Sequence, residues 1–449
     1  MKMGLFGTNG VRGKANEKIT PSLAMDIARS LGKYMKGEGT IAIGKDTRIS
    51  GDMLKSAAIA GALSAGLEVI DIGTAPTPSI QYYVRDYADA GIVITASHNP
   101  REDNGIKLIA GDGTEFSREG EAEVEKIYFA KDFTPANWDQ TGNLRKDLSA
   151  NNYYINGIIN AVDSKRIQKK GFRVAVDTGC GAGSLTLPFL LRRLGCEVIT
   201  INAQPDGTFP WRNPEPTPDV LGELIDIVKN YGADMGVAQD GDADRAVFID
   251  ENGNFIDEEI LLAMLGKHIL NIKKGPLVTP VSSSKRLLDI AKENGVEIVW
   301  TAVGSINVAR KMMEIGAVYG GEGNGGLIFP EHQYCRDGAM ACAKLLEIMA
   351  SGVKLSEMAA DVPKYSNFKT KVRCKNLLGT MEAVKKEILR KENNVDTTDG
   401  LKIWRDEGWL LIRPSGTEPI IRIFAEAEND EQAIRLMKEG EELVNQYNK

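Results

Sequence analysis

Histidine and cysteine are both scarce in this chain of 449 residues. The three histidines, His98, His268 and His332, lie far apart, which argues against a multi-histidine metal centre. The five cysteines, Cys180, Cys196, Cys335, Cys342 and Cys374, are odd in number and contain no C-x-x-C pair. Neither a disulfide framework nor a cysteine zinc site is indicated, and they read as reduced and structural. No segment approaches the about twenty consecutive apolar residues of a membrane span. The opening MKMGLFGTNGVRG has no apolar stretch long enough for a signal-peptide core, so a cytoplasmic location is expected. A basic surplus is also missing: 55 Lys and Arg stand against 62 Asp and Glu, a net charge of −7. General binding to nucleic acid or to an anionic membrane leans on clustered positive charge, so neither partner is expected. Any anionic ligand must instead be met by local positive charge.

The remaining composition, 42% apolar and 26% charged, is that of an ordinary globular protein and excludes disordered, collagen-like and wholly coiled-coil chains. The length accommodates about three domains of roughly 150 residues. Short β-branched runs alternate with amphipathic stretches of helical length, the pattern of βαβ units around mostly parallel sheets. Strand, polar turn, helix and strand recur three times: from TIAIGKDTRISG (residues 40–51) to LEVIDIG, from FRVAVDTGCGAGS (172–184) to CEVITIN, and across GPLVTPVSSSKRLLDIAKENGVEIVW (275–300). From about Phe368 the order changes to strand, helix, three strands and helix, a small α+β unit. The expected fold class is therefore α/β: three related α/β domains, 1–150, 151–252 and 253–367, followed by an α+β domain, 368–449.

Four loops carry candidate chemistry. Thr95-Ala96-Ser97-His98-Asn99-Pro100 follows the apolar run GIVI, so Ser97 sits at a strand end, a place suited to a nucleophile. The alternative is a plain turn ahead of Pro100. Lys107, ten residues on, is either a proton donor or acceptor returning to the same place or an ordinary surface lysine. Asp240, Asp242 and Asp244 lie between MGVAQ and AVFID. At i, i+2 and i+4 of an extended segment they would project to one side, unfavourably unless a cation holds them. All-oxygen ligation points to Mg²⁺, and a solvated acidic turn is the alternative. An EF-hand is excluded, because Arg245 stands where its glycine is needed and AVFID is strand-like.

Gly320–Gly326 contains a literal G-x-G-x-x-G, but strand-like LIFP follows where a dinucleotide site needs a helix. The loop suits close backbone approach with Glu322 and Asn324 aimed at hydroxyl or amino groups, or else is a hairpin turn. Finally, Arg413-Pro414-Ser415-Gly416-Thr417-Glu418-Pro419, with Arg422 beyond it, gathers guanidinium groups, hydroxyls and free N–H groups suited to phosphate. No G-x-x-x-x-G-K-[ST] is present, so a nucleotide P-loop is not involved.

FGTNGVRG, TASHNP, DGDADR, GEGNGG and RPSGTEP, in this order, resemble the α-D-phosphohexomutase superfamily over essentially the whole chain. The resemblance implies four domains around a central cleft. It further implies that Ser97 carries a phosphoryl group, with Lys107, Arg12 and His98 as its catalytic neighbours. One Mg²⁺ per chain would be held by Asp240, Asp242, Asp244 and the group on Ser97. The substrate, a small phosphosugar, would meet Arg245, Glu322, Asn324, Arg413, Ser415, Gly416, Thr417 and Arg422, and a hexose 1,6-bisphosphate would act as activator.

The LFGTNGVRG opening resembles the phosphoglucosamine mutase branch, which puts glucosamine 6-phosphate first among expected substrates; archaeal-type mannose and glucose phosphomutases share it. Two loops depart from the family pattern: the sugar loop reads Glu322-Gly323-Asn324-Gly325-Gly326 where many relatives have a serine and then a histidine, and in residues 300–305 Ala302 replaces a common basic residue and Ser305 a common histidine or aspartate. A serine-nucleophile metallophosphatase would need ligands for a second metal that three scattered histidines do not supply. A non-catalytic phosphosugar binder would not need Ser97 and all three aspartates. Oligomeric state has no signature in the sequence.

Overall fold

The structure is a computed structural model describing residues 4–7, 9–416 and 418–448. Two compact units result. One comprises the chain up to Glu258 together with Asn324–Ala360, and the other comprises Glu259–Gly323 and the chain from Asp361 onward. Among the described residues, no helix is long and apolar enough to cross a membrane. All five cysteines are buried and none forms a disulfide.

The first unit holds two sheets of one plan. Strands β1 (Val11–Lys14), β2 (Thr40–Lys45), β3 (Glu68–Thr74), β4 (Ala90–Ile94), β5 (Asp103–Ala110) and β6 (Leu144–Lys146) run in the order β1-β5-β4-β2-β3-β6. β2 pairs in parallel with β3 and β4, while β5 is antiparallel to β4. Side chains alternate across this sheet. Ile41, Ile43, Ile92 and Ile94 join one core with Ile27, Leu31 and Leu54 of the helices Pro21–Tyr34 and Gly51–Ser64. Ala42, Val93 and Ile109 join another with Ile80 and Val84 of the helix Thr77–Tyr87. Burial on both faces is why β4 is apolar throughout and not alternating.

Strands β7 (Arg173–Asp177), β8 (Glu197–Ile201), β9 (Met235–Gln239), β10 (Ala246–Asp250) and β11 (Phe255–Ile256) repeat the plan in the order β11-β10-β9-β7-β8. β7 is parallel to β8 and β9, and β10 antiparallel to β9. β11 lies past the expected boundary at 252, yet it pairs with β10, since the turn at Asp250–Gly253 is a hairpin and not a linker.

In the second unit, β12 (Leu277–Pro280) is parallel to β13 (Ile298–Thr301) and β14 (Tyr319–Glu322), the same central trio again. β15 (Gly326–Phe329) and β16 (Gln333–Arg336) form an antiparallel pair in the first unit. The tail is one antiparallel sheet of β17 (Ser366–Arg373), β18 (Val395–Asp396), β19 (Leu401–Arg405), β20 (Gly408–Pro414) and β21 (Ile420–Ala427), ordered β17-β21-β20-β19-β18. Its helices Leu377–Lys391 and Asp430–Tyr447 bury Val384, Ile388, Ala433 and Leu436 against Ile412, Ile421 and Ile423. β17 begins at Ser366, two residues before the expected start of this unit.

The architecture is thus α/β, with mixed sheets and an α+β tail. Three loops occupy the same topological place: those joining β4 to β5, β9 to β10 and β14 to β15.

Candidate active site

The loop from β4 to β5 carries Ser97, which is fully buried with φ of 53°. That left-handed conformation costs a residue with a Cβ roughly 1–2 kcal/mol. A buried arginine holds it. Arg48 donates from Nη2 to the main-chain oxygens of Ser97 (2.7 Å) and Asn99 (2.7 Å), and from Nη1 to those of Pro100 (2.6 Å) and Asp103 (2.8 Å). Its Nε donates to Asp46 Oδ2 (3.1 Å), which also accepts from Thr95 Oγ1 (2.6 Å). Thr95 Oγ1 in turn accepts from the Ser97 N–H at 2.9 Å. One guanidinium and one carboxylate therefore pin the whole turn.

The loop from β9 to β10 carries the three aspartates, and here the geometry departs from expectation. Asp240–Asp244 is a tight turn with Ala243 at φ of 58°, not an extended segment. The carboxylates converge because the chain turns around them; strand alternation plays no part. One oxygen from each lies within 4.8 Å of the others, and all three residues are buried. Gly241 permits the approach of the two loops: a Cβ there would sit 2.6 Å from the Ser97 carbonyl oxygen. Ser97 Oγ donates to Asp240 Oδ2 at 2.7 Å, so the serine and the acidic turn share one place. The repeat carries its own clamp, for Arg212 donates to Asp177 Oδ2 (2.9 Å) and to the Gln239 carbonyl (2.7 Å).

Four cations surround this cluster. Lys107 Nζ lies 3.0 Å from Asp242 Oδ2 and 3.5 Å from Asp244 Oδ2. Arg336 donates to Asp244 Oδ2 at 2.5 Å. Arg245 donates its main-chain N–H to Asp240 Oδ1 (3.2 Å), and its Nε is 3.8 Å from Asp244 Oδ1. Arg12 donates to the Asn99 side chain and the Ala96 carbonyl, both at 3.3 Å. His98 Nδ1 is 3.4 Å from Ser97 Oγ. Burial first, then Arg245 and Arg12, depress His98 to about 3, so it is neutral at pH 7.

Burial opposes the charge on Lys107, but Asp242, Asp244 and Glu115 outweigh it and raise the ammonium above its ordinary value. Burial opposes the charges on Asp242 and Asp244 as well. Lys107, the Thr77 hydroxyl and Arg12 hold the first below the carboxylate range, and Arg336 and Lys107 the second. Asp240 is left to bear the repulsion: burial and the other two carboxylates push it up to about 8.

Opposite deficits remain side by side. Asp242 Oδ1 and Asp244 Oδ1 are buried with no hydrogen-bond partner, and so are the donors Arg12 Nη2 and Arg245 Nε. A cation suits the first pair, an anion the second, and their chemistry fits a divalent metal beside a phosphoryl group.

In the second unit, Glu322 ends β14, is buried and accepts from the Gly304 N–H at 3.2 Å. Asn324, in the first unit, accepts from the Gly326 N–H at 3.1 Å. Arg413 and Arg422 are directly opposite on β20 and β21. Like charges so placed repel unless countered. Arg413 is paired with Asp399 (2.7 Å), and Arg422 with Glu418 (3.4 Å). Ser415 is buried and its Oγ accepts from the Glu418 N–H (3.3 Å), whereas Gly416 is exposed. Thr417 lies outside the described residues.

Asp46, Arg48, Thr77 and Arg336 are site residues that the sequence reading did not select. Asp46 and Arg48 lie within KDTRISG, where a polar turn closing a repeated strand was the available signal. Thr77 and Arg336 carried none.

Profiles described as phosphoglucomutase/phosphomannomutase α/β/α domains I, II and III match residues 3–135, 152–253 and 257–365, and the C-terminal domain of that family matches 370–443. The chain is 50% identical over 448 residues to a "Phosphoglucomutase/phosphomannomutase" of Thermococcus kodakarensis, covering 98% of each. It is 43% identical over 444 residues to a "Probable phosphoglucosamine mutase" of Methanococcoides burtonii, covering 98% of this chain and 99% of that one. The solved structure of a phosphoglucomutase/phosphomannomutase family protein from Burkholderia thailandensis matches with a TM-score of 0.89 at 25% identity, covering 100% of this chain and 98% of the other.

Proposed function

Since this chain belongs to the phosphoglucomutase/phosphomannomutase family of α-D-phosphohexomutases, which are intramolecular phosphotransferases, we propose that its Ser97 carries a phosphoryl group between O6 and O1 of a hexose phosphate. The observation that carries this reading is that the acidic turn bonded to Ser97 Oγ holds buried carboxylate oxygens and guanidinium N–H groups that lack hydrogen-bond partners. Phosphoryl transfer depends chiefly on position and charge.

Family members generally use Mg²⁺. Asp240, Asp242 and Asp244 would hold it, and bound there it would neutralise charge on the phosphoryl oxygens. Arg12 and Arg245 bind those oxygens through the N–H groups that have no hydrogen-bond partner. Lys107, kept charged by its carboxylate neighbours, is the acid of the set. His98 is a neutral hydrogen-bond partner for the serine oxygen. As the bond from phosphorus to Ser97 Oγ breaks, one forms to the sugar oxygen; the serine oxygen gains a proton and the sugar hydroxyl gives one up. A hexose 1,6-bisphosphate results, turns, and returns its other phosphoryl group to Ser97. The same bisphosphate, added in trace, is the activator that charges unphosphorylated enzyme. Glu322 and Asn324 meet the sugar hydroxyls. Arg413, Ser415, Gly416, Thr417 and Arg422 grip the phosphate that is not being transferred.

For the sugar, the 50% identity to the Thermococcus protein, set against 43% to the Methanococcoides one, favours glucose and mannose phosphates. This reverses the order expected from the opening motif. Glucosamine phosphate is the second reading, supported by that motif and by the name of the 43% relative. Comparing kcat/KM for the three 6-phosphates, with Mg²⁺ and a trace of glucose 1,6-bisphosphate, decides between them. Release of inorganic phosphate in place of a 1-phosphate isomer would reject the mutase reading in favour of a phosphatase.

A further inference from the structure

Two of the three carboxylates that could hold a metal, Asp242 and Asp244, have one oxygen committed to the protein and one without a hydrogen-bond partner, whereas both oxygens of Asp240 accept hydrogen bonds. Asp242 Oδ2 accepts from Thr77 Oγ1 at 2.5 Å and from Lys107 Nζ at 3.0 Å. Asp244 Oδ2 accepts from Arg336 Nη2 at 2.5 Å and faces Lys107 Nζ at 3.5 Å. Asp240 Oδ2 accepts from Ser97 Oγ. The second oxygens of Asp242 and Asp244 are buried and have no hydrogen-bond partner.

The groups that impose this asymmetry are firmly seated. Thr77 opens the helix Thr77–Tyr87, and its own N–H donates to the Asp242 carbonyl at 2.9 Å, so helix and acidic turn are joined at two points. Arg336 ends β16 and is 3% exposed. A Cβ on Gly326 would fall 2.3 Å from Arg336 Cδ, so a glycine there leaves room for the guanidinium to pass.

We propose that Thr77 and Arg336 are metal-selectivity residues: by occupying Oδ2 of Asp242 and Asp244 they confine each aspartate to a single ligating oxygen. Mg²⁺ and Mn²⁺ are small, take octahedral shells, and are satisfied by one oxygen per carboxylate. Ca²⁺ takes six to eight oxygens and makes up the number with bidentate carboxylates, which the donors already on Oδ2 of Asp242 and Asp244 disfavour. Arg336 also adds a fixed positive charge beside the site. Its removal therefore strengthens binding of every divalent cation, whereas loss of the Thr77 hydroxyl changes no charge and acts on the ratio alone. The inference rests on the reading of the three aspartates as the metal site.

Isothermal titration calorimetry of the full chain with Mg²⁺ and with Ca²⁺ tests it without reference to turnover. Thr77→Val should raise Ca²⁺ affinity relative to Mg²⁺ by about tenfold, the lower end of what supporting hydrogen bonds usually contribute to a metal site. Arg336→Met should raise it by at least as much, and Arg336→Lys, which can still donate to Oδ2, should stay near the parent. An unchanged ratio in folded Thr77→Val overturns the proposal, and this holds even where Arg336→Met fails to fold, as judged by thermal melting. If Asp242→Asn leaves Mg²⁺ binding intact, the metal-site reading itself falls.

Discussion

Arg48 and Ser97 are joined by a 2.7 Å hydrogen bond from a guanidinium nitrogen to a main-chain oxygen, although they are 49 positions apart. The arginine is fully buried and satisfies four carbonyls and Asp46 at once. Arg48→Met should therefore destabilise the fold by about 3–5 kcal/mol, because Asp46 is left as an uncompensated buried charge. Urea unfolding measures this. A loss below about 1 kcal/mol would mean that the turn holds itself.

Ser97→Gly and Ser97→Ala should both lose nearly all turnover while differing in stability. Both remove the hydroxyl, and only alanine keeps a Cβ in the left-handed region. The glycine variant should be the more stable of the two by about 1 kcal/mol. Equal melting temperatures would show that the loop has relaxed away from the φ of the parent.

Mg²⁺ should raise the melting temperature, since it binds the folded site and relieves repulsion among three buried carboxylates. At saturation of about a hundred times Kd the gain is about 2.7 kcal/mol. Chelation should reverse it, and Asp242→Asn should abolish the response. A melting curve that ignores Mg²⁺ in the parent would remove the metal from the site.

Lys402 should be the source of a fluorescence titration near neutral pH. Its Nζ lies 4.3, 4.3 and 4.1 Å from the ring centroids of Trp300, Trp404 and Trp409, and it donates to the Ser283 carbonyl at 3.2 Å. Burial drives its ammonium down to about 7 from 10.5, against the pull of Glu426 and Glu259. Charge on Lys402 should perturb the emission of these three rings, with a midpoint near pH 7 that Lys402→Met removes. The sign for stability follows. Between pH 7 and 10.5 the folded chain binds fewer protons here than the unfolded chain, so this contribution to stability grows as pH rises through that interval. A Lys402→Met variant with an unaltered titration would place the proton elsewhere.

The repeat was legible because both faces of each central sheet are covered, which forces near-continuous apolar strands such as Ala90–Ile94 and sets polar turns after them. TIAIGKDTRISG therefore announced β2, and RVAVD announced β7. The acidic turn was legible as composition but not as shape. Ala243 adopts a conformation usually left to glycine, while the neighbouring Gly241 is needed for close approach to Ser97 and not for its own φ. Thr77 and Arg336 were illegible for a different reason. Their partners are 165 and 92 positions away, and a threonine before a proline or an arginine closing a short strand has no pattern that names a carboxylate. Arg48 bonds mainly to main-chain oxygens, which every residue possesses, so no spacing of side chains could reveal it.

The three loops at one topological position have a bearing on how such a chain can change. Three loops at one place in a repeated strand plan carry different chemistry: one a hydroxyl, another a set of carboxylates and the third a glutamate with glycines. Exchange of the loop after β14 among relatives should thus alter which sugar is handled while the loops that carry Ser97 and the three aspartates stay as they are, so that new preferences can arise by local edits to an old scaffold.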